Sequence, residues 1–381
     1  MTGVAAPARE RPADAAEVAA ALLAAGPSVR VTGGETKADW GGVGAPCAVE
    51  LSTARLDRMV EHNEGDLTAV LEAGVPLARA QERFASAGQR LALDPPDGDG
   101  RATVGGVLAC GDSGPLRHRH GAIRDLVLGV RVALADGTVA RAGSRVIKNV
   151  AGYDLAKLMC GALGTLGVVC EVTVRLHPAP EGSVTAVGRG DDVHALARAA
   201  GALAARPLEL EALDVRWDGA EAGGAVLARA TGRAGSEAGE SALRVLSESG
   251  LQGELVSDDA GLWAGQREAQ RAVEGGAVAR VSARPSALGD VLAAAPGGAV
   301  ARAGIGLAWV ALADADPGEF EALRAAVAPA ACVLQEGPVQ MRAAVDVWGV
   351  GEGPELELMR RVKERFDPHG VCNPGRFVGG L

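Results

Sequence analysis

The part of this chain that most limits what it can fold into is residues 101–178, whose densest run, 145–178, reads RVIKNVAGYDLAKLMCGALGTLGVVCEVTVRLHP. It closes on an alternation, with Val168, Cys170, Val172, Val174 and Leu176 on one side and Glu171, Thr173 and Arg175 on the other. That is the period of a half-buried strand. Ahead of it, Asp154 is placed to cap a short helix carrying Leu155, Leu158 and Met159 on one face. Gly161, Gly164 and Gly167 then break the helix and let the backbone approach something closely. The only tyrosine, Tyr153, sits here.

Glycines cluster at three other places: TGGETK at 32–37, TVGG at 103–106 and CGDSG at 110–114. Successive N–H groups around such glycines form concave nests for anions, although a double glycine alone also makes an ordinary tight turn. The glycines of GALGTLGVV are spaced G-x-x-G-x-x-G, after a helix and before a strand. A dinucleotide fingerprint needs the opposite order, which excludes a nicotinamide site there.

Taken in order, TVGG, CGDSG and KNVAGYDLAKLMCGALGTLGVV resemble the FAD-binding domain of the vanillyl-alcohol-oxidase (PCMH-type) flavoproteins, in the version found in FAD-binding subunits of glycolate oxidases. The late run ELELMRRVKERFDPHGVCNPGRF, 355–377, resembles that family's closing FDP…NPG segment. The resemblance implies an α+β chain. Residues 1–179 form a PCMH-type two-subdomain FAD-binding fold, 180–340 an α+β cap (an antiparallel sheet with helices on one side), and 341–381 a return to the flavin domain.

The cofactor implied is FAD. Its candidate ligands are Thr32, Gly33, Gly34, Glu35, Thr36 and Lys37 in the first loop, then Pro95, and Thr103, Gly105 and Gly106. Cys110, Gly111, Ser113 and Gly114 follow, then Gly121, Arg124 and Asp125, then Gly167 and Val168, and last Asn373. Some relatives carry a histidine in the first loop that bonds to the flavin. Glu35, Thr36 and Lys37 stand there in this chain, so the cofactor is expected to be non-covalent. A reduced flavin also needs a positive or hydrogen-bonding group near N1 and the C2 carbonyl. Lys148, Arg124 and Arg376 are the catalytic candidates for that role; each also suits a structural ion pair, Lys148 with Asp154.

No metal site is expected. His118 and His120 of RHRH, 117–120, fall in a loop expected to face solvent, lack a third ligand, and are flanked by Arg117 and Arg119, so the loop reads as anion-facing. Between 180 and 340 there is one histidine, His194, in an Ala-rich helical run. Relatives that oxidise 2-hydroxy acids hold a metal with cap histidines, which would place metal-assisted oxidation in a paralogous FAD-binding catalytic subunit.

The six cysteines contain no C-x-x-C, so an iron–sulfur cluster, if used, belongs to a partner subunit. A net charge of -10 and an aromatic share of 3% exclude a nucleic-acid partner. The most apolar run, 297–313, is interrupted by Arg302, so direct membrane insertion is not expected; the N-terminus lacks the basic and apolar regions of a signal peptide. The expected location is cytoplasmic, with membrane contact only through partners. The expected function is that of an FAD-binding subunit of a glycolate oxidase complex, converting glycolate to glyoxylate with electrons leaving through an iron–sulfur subunit. Two alternatives stay open: a stand-alone FAD oxidoreductase for another small 2-hydroxy acid such as D-lactate, and a flavin-free structural subunit.

Overall fold

The computed structural model describes residues 7–144 and 154–381. The candidate Lys148 and Tyr153 lie outside the described residues.

The first subdomain is built on a three-stranded parallel sheet, Ala8–Glu10, Val49–Ser52 and Val29–Thr32 in spatial order. The helix Ala15–Ala24 covers it. Asp14 caps this helix by accepting from the N–H groups of Ala16 and Glu17 at 2.8 and 2.9 Å, while Val18, Leu22 and Ala25 enter the core. The chain's last segment returns to the same sheet: Val29 N donates to Val371 O at 2.7 Å and Asn373 N to Val29 O at 2.9 Å. Thr32 and Asn373 are thereby brought to one end of one strand.

The second subdomain is a five-stranded antiparallel sheet. Its spatial order is Met59–Asn63, Thr68–Glu72, Val168–Arg175, Val127–Ala133 and Val139–Gly143. Val168–Arg175 lies at the centre, with Val172 and Val174 fully buried. The hairpin of the last two strands has Arg131 opposite Arg141 and turns at Gly137, φ +82°. The short helix Leu155–Met159 is turned differently from the expectation. Leu155 is 38% exposed, Ala156 and Met159 enter the core, and Leu158 is only partly buried. Asp154 makes no cap bond; its carboxylate pairs with Lys157 at 3.2 Å instead. The small Ala156 side chain lets this helix lie close to the layer below it, where Gly161 N reaches Leu108 O at 3.0 Å.

Between Pro178, which pairs with Gln89, and Ser183 the chain crosses into an eight-stranded antiparallel sheet. Its order is Gln252–Val256, Ser183–Gly190, Gly224–Thr231, Leu210–Trp217, Ala299–Arg302, Leu307–Leu312, Ala277–Ser282 and Ala331–Glu336. One face packs under the helices Val193–Ala204, Gly235–Glu248, Leu288–Ala293 and Pro317–Ala326, which contribute Leu196, Leu246, Leu292 and Phe320 to one core. The other face turns toward the flavin-type domain. It carries the helix Ala260–Glu268, whose Trp263 packs on Val187, Ala212, Ala225 and Leu227 and donates to Thr185 Oγ1 at 2.8 Å.

Candidate functional site

The strand Val29–Thr32 delivers its end into the loop 33–37, which lies flush on residues 101–103. A methyl group at Gly33 would stand 2.7 Å from Thr103 Oγ1, and one at Gly34 would stand 1.7 Å from Arg101 O. Only glycine allows that approach. Glu35 follows with φ +55°, so the loop curls, a conformation from which successive N–H groups can form an anion nest. On the opposing wall Thr103 caps the helix Val104–Cys110, its Oγ1 accepting from Gly106 N at 3.2 Å. Gly105 sits so close to Ala73 that a Cβ would fall 2.5 Å from that side chain. TVGG is thus the first turn of a helix.

These two walls enclose a cavity of about 240 Å³. Its lining combines the loop residues Thr32, Gly33, Gly34, Glu35, Thr36 and Lys37 with the apolar Ala73, Ala109, Met159, Leu166 and Val169. Thr32 Oγ1 is buried here without a hydrogen-bond partner among the described residues. Lys37 points inward to Asp112, Nζ to Oδ2 3.2 Å, and donates to Pro96 O at 3.3 Å. Burial pushes the Asp112 carboxyl up, and the Lys37 ammonium partly offsets that. Asn373 closes the far side, accepting from Val31 N at 2.8 Å and donating to Leu163 O at 2.6 Å.

A second cavity, also about 240 Å³, adjoins the first and shares Cys110 and Leu163 with it. Its walls come from both domains. Gly111, Arg117, Arg124 and Gly161 stand on one side, Arg280, Val333 and Gln335 of the cap sheet on the other, with Trp40 and Trp348 also lining it. Burial depresses the guanidinium pKa values of Arg280, Arg117 and Arg376, in Arg280 with a further contribution from Arg117. Burial pushes the thiols of Cys110 and Cys160 up to about 11 and about 12, so both stay protonated and unreactive near neutrality.

The cap is tied to the loop and helix that form the slot. Arg271 grips Glu336 with two bonds of 2.7 and 2.8 Å and donates to Thr36 O at 2.8 Å. Arg342 reaches Gly41 O, Gly42 O and Asp39. A buried chain, Asp214 to Arg302 to Gln270, ends on Ser113 O at 3.1 Å.

Thirteen of the cofactor and catalytic candidates line the first cavity: Thr32, Gly33, Gly34, Glu35, Thr36, Lys37, Thr103, Gly105, Gly106, Cys110, Gly167, Asn373 and Arg376. Gly111 and Arg124 line the second. The other described candidates stand apart from both. Pro95 is buried in the chain behind the slot, and Gly114 lies against Asp94 O. Ser113 has its carbonyl taken by Gln270 and its hydroxyl by Arg117. Gly121 turns at φ +77° beside Asp125, whose carboxylate accepts from Ala122 N. Val168 joins the core with Ala133 and Cys170, and its neighbour Val169 faces the cavity. The RHRH segment is a short helix, Arg117–His120, and not a solvent-facing loop: His120 meets His177 edge to face, ring centroids 4.7 Å apart, and faces Glu211 at 3.7 Å.

Sequence reasoning missed Arg280, Trp40 and Trp348. The signal for Arg280 was present, one charge inside the apolar alternation of AVARVS. The two tryptophans reach the slot only through tertiary contact and left none. Among the described residues no cluster of three His, Cys, Asp or Glu side chains is arranged to hold a metal, and no helix is long and apolar enough to cross a membrane.

The glycine contacts that leave no room for a methyl group, the curled loop and the unsatisfied Thr32 hydroxyl fit a dinucleotide diphosphate. The adjoining slot fits a flat ring.

Comparison with known proteins agrees. Residues 6–143 match the FAD binding domain family, and residues 351–377 match the C-terminal domain of FAD linked oxidases. Glycolate oxidase subunit GlcE of Escherichia coli (strain K12) is 39% identical over 144 residues, 38% of this chain and 41% of that one. The mitochondrial D-lactate dehydrogenase [cytochrome] of Arabidopsis thaliana is 37% identical over 154 residues, 40% of this chain and 26% of that one. The matched part is less than half the length of either relative. A solved alkyldihydroxyacetonephosphate synthase superposes with a TM-score of 0.69 over 97% of this chain and 77% of that one, at 14% identity, a likeness of fold alone.

Proposed function

We propose, for a chain that carries the FAD-binding domain of the FAD-linked oxidases, that it is an FAD-dependent oxidoreductase of small 2-hydroxy acids working as the FAD-binding subunit of a glycolate oxidase complex. The observation that carries this reading is the continuity of the glycine-walled cavity with the interdomain slot through Cys110 and Leu163. FAD bound along that path would supply a two-electron acceptor at the face of the slot. The chain's own part is to hold and orient. The 33–37 loop, Thr103, Gly105 and Gly106 would seat the diphosphate, and with no histidine in that loop the flavin would be held non-covalently. Arg124, Arg117 and Arg376 would bring positive charge to the ring's edge, and Arg271 would keep the cap closed over the loop. The partners under this reading are a paralogous FAD-binding subunit and an iron–sulfur subunit that accepts the electrons. The similarity to glycolate oxidase subunit GlcE supports a multi-subunit complex.

The test is the visible spectrum of the purified chain before and after anaerobic addition of glycolate or D-lactate. A yellow protein bleached by glycolate only when partner subunits are present is the expected result. Bleaching by D-lactate without any partner would replace the complex by a stand-alone enzyme. Protein that stays colourless after incubation with FAD would overturn the reading.

A further inference from the structure

We propose that the slot between the two domains is a carboxylate site in which Arg280, on the cap wall, grips the acid directly and without a bridging metal. The inference rests on the functional reading above and deepens it by naming the group that recognises the substrate's charge.

Arg280 stands in the strand Ala277–Ser282, hydrogen-bonded between Leu307–Leu312 and Ala331–Glu336. Its neighbours Ala279 and Val281 join the helix-covered core, so strand alternation sends Arg280, with Val278, to the face turned toward the flavin domain. Among the described residues it has no ion pair, and its Nε is buried without a hydrogen-bond partner. The nearest charges named for it are Arg117, which repels it, and Asp112, which is already paired with Lys37. A guanidinium whose Nε is buried without a partner, with no carboxylate opposite it, is expensive to keep in a folded protein. A ligand anion would supply the missing partner, and the planar fork of arginine matches a carboxylate with two parallel bonds.

The rest of the lining agrees in sign. Arg117 and Arg124 enter from the opposite wall, and none of the described residues lining the slot is Asp or Glu. Trp40 and Trp348 line it as well, and both indole N–H groups lack partners. The side-chain oxygen of Gln335, the lining amide, already accepts from Trp309 at 3.2 Å. The surface therefore offers donors and positive charge, and asks for acceptors and negative charge.

Position separates the substrate's carboxylate from the cofactor as the anion. The glycine loops and Asn373 all belong to the flavin domain, so the cofactor is seated from that side. Arg280 projects from the opposite, cap side, where a molecule presented to the ring would lie.

The experiment titrates the full-length chain, with and without FAD, with oxamate, a carboxylate that cannot be oxidised here, and with uncharged glycolamide. Tryptophan fluorescence is the readout, since Trp40 and Trp348 line the slot. Oxamate is expected to bind and glycolamide not, EDTA to leave oxamate binding unchanged, and Arg280→Met to weaken it at least tenfold while FAD affinity stays within twofold. Arg280→Lys, which keeps the charge and most of the volume, is expected to lie between and keeps the test decisive if the methionine variant fails to fold. The proposal is overturned if wild-type protein does not bind oxamate, if EDTA abolishes binding, if the variants bind as wild type does, or if FAD affinity falls in parallel. Arg280-dependent oxamate binding in protein that takes up no flavin would sustain the carboxylate site and remove the oxidoreductase reading.

Discussion

Lys37 and Asp112 form an ion pair inside the protein, Nζ to Oδ2 3.2 Å, with side chains only 4% and 3% exposed. Lys37 ends the 33–37 loop, and Asp112 follows the helix Val104–Cys110, so the pair clamps the two walls of the glycine-walled cavity together.

Removing one partner of such a pair leaves the other charge buried and alone, a loss of about 3–5 kcal/mol. Lys37→Met is therefore expected to destabilise the protein by about that amount and to abolish tight FAD binding. Adding Asp112→Asn should recover most of the stability, because no unpaired charge remains. Urea denaturation of wild type and the two variants checks this, and a double variant no more stable than Lys37→Met would refute the clamp.

Glycine contacts divide into those that shape the site and those that only turn the chain. Gly34→Ala would drive a methyl group into Arg101 O, 1.7 Å away, so the loop has to move. Its FAD affinity is expected to fall at least tenfold. Gly26 has φ +73° and nothing within 4 Å of an added Cβ, so Gly26→Ala should cost about 1 kcal/mol of stability and leave FAD binding intact. Equal FAD affinities for the two variants would argue against the loop as the diphosphate seat.

Glu211 of the cap sheet faces His120, Arg90 and Arg229 at the domain boundary. Burial alone would raise its pKa, but His120 and Arg90 outweigh burial and hold it at about 2. A carboxylate depressed in the folded state contributes stability that is present above its unfolded value of about 4.5 and is lost as pH falls through about 2. Glu211→Gln should therefore be less stable than wild type at pH 7, on the order of 3 kcal/mol. The two should converge as pH falls from about 4.5 toward 2. Parallel stability curves over that range would show that Glu211 is not the titrating group.

How far the sequence announced this site follows from which contacts are local. The TGGETK loop and the strand Val168–Arg175 were legible because glycine pairs and two-residue alternation are properties of a single segment. The alternation is kept only in part: a bulge at Cys170 splits the expected face, leaving Val168 and Cys170 in the core under the first helix and placing Val169, Val172, Val174 and Leu176 in the other core, where Val169 also lines the cavity. Ser113 and Gly114 looked like ligand-facing backbone. The cap occupies the first through Gln270, and Asp94 packs against the second. Leu155 looked like a core residue on a helix whose packing face is in fact set by Ala156 and the close approach of Gly161 to Leu108. Arg280, Trp40 and Trp348 come from segments far apart in the chain, and only the docking of cap on flavin domain makes them one wall.

That docking depends on Arg271, whose fork spans Glu336 within the cap and Thr36 O in the loop. A lysine keeps the charge but is a point donor, and cannot hold both oxygens of Glu336 and the carbonyl at once. Arg271→Lys should therefore leave global stability within about 1 kcal/mol, since Glu336 keeps a cation. Its effect should be local. Amide exchange in residues 33–37 is expected to accelerate several-fold, and FAD to dissociate faster with little change in association rate, because the loop is released rather than misfolded. Hydrogen exchange with and without FAD separates the two states. Unchanged protection of the 33–37 amides in the lysine variant would mean that the loop holds its shape without the cap, and that Arg271 serves the cap sheet alone.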